Sequence, residues 1–452
     1  MSQTEYVDGL LDFLKRSPSA FHACDAVTRE LAAAGFSEIA AGERFRLVPG
    51  GKYYVTKNHS AVIAFTVPGE GPLPRSWKGV SSLPAGFQII ASHLDSPMLK
   101  VKENPEVEAE NAYVRINVEK YGGLLLAPWF DRPLSVAGRM LLLHGGQVEE
   151  VLVNVDRDFL VIPSLAIHMN REANEGIKYS VQKELLPLYS SLGKDRESVH
   201  FLEQVLQEGQ KSPENGTVKD PVQVPGDTKI LGHDLFVYNR TPGTVWGAHG
   251  EFLSAPRLDD LMCAYGSLQG FLEGTKKESF CVLCILDNEE VGSTTKQGAA
   301  GPFLSDTLRR ICLSLGGDEE DYYCLLEKSF LVSADNAHAV HPNYPEKADL
   351  TNRPKLNQGI VLKYHANQKY CTDGVSAARF KALCEKEGIP VQSFVNHSDQ
   401  TGGSTLGNIA NTKLGISAVD IGLPQLAMHS PYETAGTQDL GWLVAFSREF
   451  YR

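Results

Sequence analysis

Basic residues and long hydrophobic runs are both scarce in this sequence. Its 452 residues contain 43 Lys and Arg against 55 Asp and Glu, which gives a formal net charge of −12. Such a field repels nucleic-acid phosphates and anionic membrane surfaces. No stretch approaches the roughly 18–20 uninterrupted apolar residues that a membrane-spanning helix requires. We therefore expect neither a nucleic-acid partner nor a membrane partner.

Cysteines are also few, with only 8 in the chain. Several of them, such as Cys263 and Cys312, stand in apolar runs, where a reduced thiol packs well. Cys281 and Cys284 have the spacing of some redox and zinc sites, but without a second pair their apolar run predicts a buried strand. The N-terminal segment carries acidic residues and lacks the basic-then-apolar order of a signal peptide. We expect a cytoplasmic location.

The hydrophobic content of 42% is that of a folded globular protein with room for two or three domains. Strands and helices alternate in residues 1–98 and 249–452. This alternation predicts an α/β catalytic domain whose mainly parallel sheet is sandwiched by helices. Residues 99–248 carry short β-like segments and predict an inserted β-rich domain. Within it, the polar stretch 208–227 has the composition of a surface loop.

Residue types that bind metals follow four of the predicted apolar strands. Open α/β sheets place their sites at the carboxyl ends of the strands, so we expect these side chains to meet. Each group alone has an ordinary structural explanation, such as a capped turn or a carboxylate at a helix N-terminus. The groups are His93 with Asp95, the run Asp287 to Glu290, Asp335, His429, and Asp259 at the start of a helix.

Together these groups supply an imidazole and a terminal carboxylate for each of two ions, plus a bridging carboxylate. That mixed N/O set suits zinc, cobalt or manganese. Glu289 and Glu290 leave their strand in different directions, so Glu289 is placed to act as the general base toward the attacking water. Asp95 suits a supporting role in which it accepts the other N–H of a ligand imidazole. The candidate ligands are His93, Asp259, Glu290, Asp335 and His429.

At these residues the sequence resembles the aspartyl aminopeptidases, co-catalytic zinc exopeptidases of the M18 family of metallo-aminopeptidases. The matching motifs run in family order across nearly the whole chain. They are Ser92-His-Leu-Asp-Ser-Pro97, Trp129-Phe-Asp-Arg132, Leu165-Ala-Ile-His168, Ala255-Pro-Arg-Leu-Asp259, Asp287-Asn-Glu-Glu-Val-Gly-Ser293, Ser333-Ala-Asp-Asn-Ala-His-Ala-Val-His-Pro-Asn343, Gly402-Gly-Ser-Thr-Leu-Gly407 and Pro424-Gln-Leu-Ala-Met-His-Ser430.

The resemblance implies two zinc ions per subunit, with manganese or cobalt as substitutes. It implies that Asp259 bridges the ions and that Glu289 is the general base. One site is then completed by His93 and Asp335, and the other by Glu290 and His429. Asp260 stands where many relatives have Asn, so the assignment of the bridge to Asp259 depends on the family register.

The resemblance also implies a role for the insertion and for the substrate pocket. The insertion would make dimer contacts within a homo-oligomeric dodecamer, and His168 would reach a neighbouring subunit's active site. Lys363 would meet the acidic side chain of a substrate, although a solvated lysine ending a strand explains that residue equally well without the resemblance. His338 and His341 have a helical ligand spacing, but the ligand set is full. We expect a pocket-lining role for His338.

The expected activity is removal of one N-terminal Asp or Glu from peptides with a free N-terminus. Three alternatives stay open at this point. The first is an aminopeptidase with a preference for neutral or basic residues. The second is a di-metal deacylase or carboxypeptidase, which would accept a blocked amine. The third is a non-catalytic assembly protein that keeps the fold.

Overall fold

The structure is a computed structural model that describes residues 2–69, 86–192, 200–210, 228–274 and 279–452. Its strands are β1 (Ser37–Glu38), β2 (Lys52–Lys57), β3 (Ala61–Thr66), β4 (Phe87–His93), β5 (Met98–Ala109), β6 (Tyr113–Tyr121), β7 (Leu134–His144), β8 (Gln147–Asn154), β9 (Leu188–Ser191), β10 (Lys229–Asn239), β11 (Thr244–Trp246), β12 (Phe252–Ala255), β13 (Phe280–Leu286), β14 (Phe330–Ala334), β15 (Ala337–His338), β16 (Ile360–Tyr364), β17 (Val391–Val395), β18 (Ser417–Gly422), β19 (Pro424–Leu426) and β20 (Glu433–Gly436).

Its helices are α1 (Gln3–Arg16), α2 (Ala20–Ala33), α3 (Val181–Glu184), α4 (Phe201–Gly209), α5 (Leu258–Glu273), α6 (Phe303–Ser314), α7 (Glu319–Glu327), α8 (Gly374–Lys386), α9 (Leu406–Leu414) and α10 (Asp439–Phe450). Among the described residues, no helix has the length and apolar character needed to cross a bilayer.

The largest sheet has nine strands in the order β1-β2-β3-β13-β4-β14-β18-β16-β17. Its four central strands, β13, β4, β14 and β18, are parallel to one another. All seven residues of β13 are buried, including Cys281 and Cys284, as expected for a strand covered on both faces. Separate apolar clusters pack on the two faces. The predicted α/β fold with a mainly parallel, helix-covered sheet is confirmed.

A second sheet of six strands, β8-β7-β10-β5-β6-β9, is entirely antiparallel. It takes all its strands from residues 98–239, within and just before the predicted insertion, and it has its own apolar core. Strand β11 pairs with β12 in a third, five-stranded sheet beside the α/β domain. In the stretch 208–227, residues 211–227 lie outside the described residues.

Helix α5 is packed closely against α10 near its C-terminal end. A Cβ added at Gly270 would lie 2.4 Å from Cβ of Ser447 and 2.8 Å from the carbonyl oxygen of Val444. Such distances are below van der Waals contact, so a larger residue would push the helices apart. The first turn of α5 departs from helical geometry at Asp259 and Asp260.

Candidate metal centre

The carboxyl ends of three central strands, the start of α5 and the turn after β19 bring the predicted ligands together. His93 is the last residue of β4, and Asp335 follows β14 directly. His93, Asp259 and Asp335 form one group of donor atoms that all lie within 4.8 Å of one another. Asp259, Glu290 and His429 form a second such group. The strand ends therefore meet as the sequence predicted, and the two groups share Asp259.

Asp259 faces the two imidazoles with different oxygens. Its Oδ1 lies 3.7 Å from Nε2 of His93, and its Oδ2 lies 3.5 Å from Nε2 of His429. Nε2 of His429 is also 3.4 Å from Oε2 of Glu290. Ligand bonds of about 2.0 Å in a tetrahedral site place neighbouring donor atoms about 3.3 Å apart. The observed separations are close to those of donor atoms that share one divalent ion.

Two oxygens in this cluster lack any other partner. Among the described residues, neither Oδ1 of Asp259 nor Oε1 of Glu290 has a hydrogen-bond donor, although both atoms are buried. Burial and the charge of Asp259 raise the pKa of Glu290 well above its usual value. Buried carboxylates are costly unless a cation or hydrogen bonds compensate them. The donor set therefore fits a metal cofactor.

The structure separates the roles of the two adjacent aspartates. The fully buried carboxylate of Asp260 accepts hydrogen bonds from the main-chain N–H groups of His93 and Asn336, both at 3.2 Å. It therefore holds the ends of β4 and β14 beside each other. Only Asp259 faces the imidazoles, so the geometry agrees with the register that the resemblance implied.

With His93 and Glu290, Glu289 forms a third group whose donor atoms all lie within 4.8 Å of one another. Burial and the nearby negative charges, chiefly those of Asp335 and Asp95, raise its pKa to about 8, against the opposing effect of His93. Its main-chain N–H donates to Oδ1 of Asp95 at 3.1 Å. Glu289 is therefore oriented beside the candidate ligands without belonging to the two groups that share Asp259.

Both ligand imidazoles have an acceptor at their second nitrogen, which fixes the ring orientation. Nδ1 of His93 lies 3.0 Å from the main-chain oxygen of Asp95 and 3.4 Å from its carboxylate. The shorter contact is to the main chain, so Asp95 supports His93 mainly through its backbone. Nδ1 of His429 lies 2.9 Å from the carbonyl oxygen of Gly123, in the inserted domain.

A cavity of about 500 Å³ opens at the centre and is lined by Lys363, His338, Tyr370 and Phe394 among others. Nζ of the buried Lys363 lies 3.2 Å from Oδ1 of Asp335 and 2.9 Å from the carbonyl oxygen of Asn336. Although burial disfavours its charged form, Asp335 keeps the pKa of Lys363 above its usual value. The ion pair with a candidate ligand was not foreseen from the sequence.

His168 is the one predicted site residue that the structure places outside this cluster. It lies in an exposed turn of the inserted domain, and three of its neighbours, Leu165, Ile167 and Met169, expose 58%, 47% and 76% of their surface. Exposed apolar groups at such density are typical of interaction surfaces. Among the described residues, His168 belongs to none of the donor groups and does not line the cavity.

Sequence reasoning missed Glu433, which orients two of the ligands. Its buried carboxylate accepts from the main-chain N–H of Asp259 at 2.9 Å and of His429 at 2.7 Å. Burial raises the pKa of Glu433 to about 8. A glutamate four residues after His429 was the only signal in the sequence, and spacing alone gives no reason to link it to Asp259.

The fold and the donor set together define an α/β metallohydrolase. A family model described as Aminopeptidase I zinc metalloprotease (M18) matches residues 13–451. The probable M18 family aminopeptidase 2 of Clostridium novyi is 43% identical over 454 residues, covering 100% of this chain and 99% of the relative. That of Stutzerimonas stutzeri is 42% identical, covering 99% and 98%. The chain belongs to the M18 family of zinc metallo-aminopeptidases.

Solved structures show the same fold. One described as the Ape4 and Nbr1 complex superposes with a TM-score of 0.90 at 32% identity, covering 99% of this chain and 86% of the other. A second, the S. cerevesiae mApe1 dodecamer, superposes with a TM-score of 0.80 at 25% identity, covering 98% and 96%.

Proposed function

We propose that this chain is a di-metal aminopeptidase that removes a single N-terminal residue, preferentially Asp or Glu, from peptides with a free N-terminus. The observation that carries the proposal is the bridging position of Asp259, whose two oxygens face His93 and His429 in two separate donor groups. Two ions held in this way are typical of co-catalytic hydrolases. Zinc is the metal expected from the family, and manganese or cobalt are possible substitutes.

The residues of the chain divide the work of hydrolysis among them. When bound, the ions supply Lewis-acid chemistry at the scissile carbonyl and lower the pKa of water. Glu289 takes the proton of the attacking water and delivers it to the leaving amine. The cavity walls hold the N-terminal side chain. His168 of a neighbouring subunit is proposed to stabilise the charge that develops on the carbonyl oxygen.

The preference for acidic residues is argued from Lys363. Its ammonium group has three N–H donors, of which two are directed at Asp335 and at the carbonyl oxygen of Asn336. A cation on Asp335 offsets the negative charge of that carboxylate, which leaves the charge of Lys363 to attract an acidic side chain. A charge-assisted hydrogen bond in a buried pocket discriminates strongly against apolar side chains.

A substrate panel tests the proposal directly. The purified protein is stripped with a chelator, reloaded with zinc, manganese or cobalt, and assayed on unblocked p-nitroanilides of Asp, Glu, Lys, Leu and Ala. Release confined to Asp and Glu supports the whole proposal. Turnover of Lys or Leu alone contradicts the acidic preference. Silence on the panel with activity on N-acetylated peptides indicates a deacylase, and silence on both indicates a non-catalytic protein.

Lys363→Met isolates the specificity step, because it removes the charge without adding a carboxylate beside Asp335. We expect kcat/KM for the Asp substrate to fall at least about 100-fold relative to that for Leu, since an unpaired charged group costs several kcal/mol. Lys413→Met on the exposed surface of α9 is the matched control. An unchanged ratio in Lys363→Met would contradict the assignment.

We also propose a homo-oligomer, with a dodecamer built from dimers as its largest form. The exposed apolar turn around His168 supports a subunit contact, and the S. cerevesiae relative is described as a dodecamer. Native mass spectrometry of the purified protein tests the subunit number.

The six buried cysteine thiols suit a reducing compartment, and on that basis we propose that the protein is located in the cytoplasm.

A further inference from the structure

One short segment of the inserted domain reaches back to the candidate metal centre at three points. This segment, residues 121–125, begins at the last residue of β6. At its end, the N–H of Leu125 donates to the carbonyl oxygen of His429 at 3.1 Å, and in the middle Gly123 accepts from the imidazole of His429. At its start, the hydroxyl of Tyr121 donates to Oδ2 of Asp95 at 2.8 Å.

Asp95 connects Tyr121 to the catalytic turn, which is the turn that carries Glu289 and Glu290. Its Oδ2 also accepts the N–H of Glu290 at 3.1 Å, while its Oδ1 accepts the N–H of Glu289 at 3.1 Å. One carboxylate thus holds the main chain of both the candidate base and a candidate ligand. The tyrosine hydroxyl is the third donor on that carboxylate, so it restrains the rotation of Asp95.

The hydroxyl of Tyr121 is itself fixed from the other side. Nδ2 of Asn288 donates to it at 2.8 Å, and Oδ1 of Asn288 accepts from Thr295 and Gln297, both at 2.8 Å. Asn288 has a left-handed conformation, with φ of 61°. The chain of hydrogen bonds therefore begins and ends on the turn that carries Glu289, and Tyr121 is its link from the inserted domain.

The backbone beside Tyr121 approaches the centre so closely that a side chain there would have to displace its neighbours slightly. A Cβ added at Gly122, where φ is +77°, would lie 3.2 Å from Cβ of Glu290. The segment 121–125 is thus packed against the catalytic turn as well as hydrogen-bonded to it. Its position depends on β6, whose partners are β5 and β9 of the inserted sheet.

We infer that Tyr121 is a positioning residue for the metal centre, through which the inserted domain sets the orientation of Asp95 and thereby of Glu289 and Glu290. The inference rests on the proposed di-metal function and deepens it. Groups that orient metal ligands from outside typically contribute roughly 10- to 100-fold to metal affinity or activity. Loss of the hydroxyl should therefore weaken metal binding and slow the chemical step without changing how substrate binds.

Tyr121→Phe removes only the hydroxyl and keeps the ring, which packs edge-on against Phe236 at a centroid distance of 5.4 Å. We expect zinc affinity, measured by competition with a chromogenic chelator, to fall about 10-fold, and kcat on the preferred substrate to fall about 10-fold with little change in KM. Tyr113→Phe is the control, because Tyr113 begins the same strand and is 49% exposed. It should match the unmodified protein.

Zinc affinity and kcat both within twofold of the unmodified protein in Tyr121→Phe would overturn the inference. A fall in melting temperature alone would do the same, because it would indicate a purely structural contribution. If the unmodified chain bound zinc but hydrolysed no N-terminal residue, the proposed function would fail. The comparison of zinc affinities would still decide the role of Tyr121.

A double-substitution cycle tests the route through Asp95. If Tyr121 acts by restraining that carboxylate, Tyr121→Phe should change zinc affinity by less than twofold when it is added to Asp95→Asn. If the fold-losses in zinc affinity of the two single variants multiply in the double variant, the two residues act independently. That result would overturn the route through Asp95.

Discussion

In the α/β part of the chain, the candidate site is made of side chains at the ends of adjacent buried strands, at the start of α5 and in the turn after β19. The inserted sheet contributes differently: its segment 121–125 hydrogen-bonds to Asp95 and His429, and His168 stands in an exposed apolar turn. The candidate ligands and most of the residues that orient them therefore lie in one region, whereas the other region adds the contacts of segment 121–125 and the proposed contribution of another subunit. Four experiments test this division.

The largest effect is expected from Asp259→Asn. An amide cannot bridge two cations as a carboxylate does, so bound zinc should fall below two ions per subunit. A Lewis acid at the carbonyl contributes several kcal/mol, and each ~1.4 kcal/mol is tenfold in rate, so activity should fall at least about 10⁴-fold. Zinc content by mass spectrometry and kcat are measured together. Two tightly bound ions in this variant would show that Asp259 is not the bridge.

Glu289→Gln should reduce kcat by about 10³-fold, because general acid–base catalysis typically contributes 10²–10⁴-fold. The amide keeps the size of the side chain and cannot accept the proton. Since Glu289 belongs to neither donor group that shares Asp259, zinc content should stay as in the unmodified protein. Loss of zinc along with activity would move Glu289 from the base to the ligand set.

His168→Ala tests the contribution of the inserted domain. We expect kcat to fall about 10²-fold, as for removal of one donor to a developing oxyanion, with zinc content unchanged. Co-expression of His168→Ala with Glu289→Gln subunits should yield mixed assemblies that are more active than either variant alone. If the mixtures show only the average of the two, the histidine does not act on a neighbouring subunit.

The smallest effect is expected on the free energy of unfolding, when the apolar packing of the central sheet or of the inserted sheet is reduced. Ile90 in β4 and Ile116 in β6 are both fully buried, so replacement of either by Val should cost about 0.5–1.5 kcal/mol of unfolding free energy. Denaturant unfolding followed by circular dichroism shows whether both substitutions shift one shared transition. Separate shifts of two transitions would show that the sheets unfold independently.

The parts of the site that could be predicted are those indicated by short, continuous stretches of sequence. Apolar runs that end in His, Asp or Glu mark the carboxyl ends of parallel strands, and the order of the strands brings these ends together. Contacts between segments that are distant in the sequence have no such short pattern from which they could be predicted. The ion pair of Lys363 with Asp335 and the hydrogen bonds of Glu433 are of this kind, and so is the bond from Tyr121 to Asp95. Each depends on how separate elements pack.

Prediction of the fold from the sequence was limited in the same way. The four central strands β13, β4, β14 and β18 were predicted because both their faces are buried, which gives continuous apolar runs. The long strand β5 was not, because its outer half carries charged residues and Pro105. The separation of Asp259 from Asp260 also needed the structure, since both residues are buried and only the departure from helical geometry at the start of α5 turns them apart.

The connection from β4 to β5 is only four residues long, and most of it contacts the site. The N–H of Leu94 donates to the carbonyl oxygen of Leu286, Asp95 holds the catalytic turn, and Ser96 donates to the carbonyl oxygen of Asp259 at 2.7 Å. This connection precedes the predicted insertion, so an engineered chain that joined residue 98 directly to residue 249 would keep it. Such a chain would still lose the hydrogen bonds of Tyr121 to Asp95 and of Gly123 to His429, so a minimal enzyme of this type needs a redesigned replacement for residues 121–125.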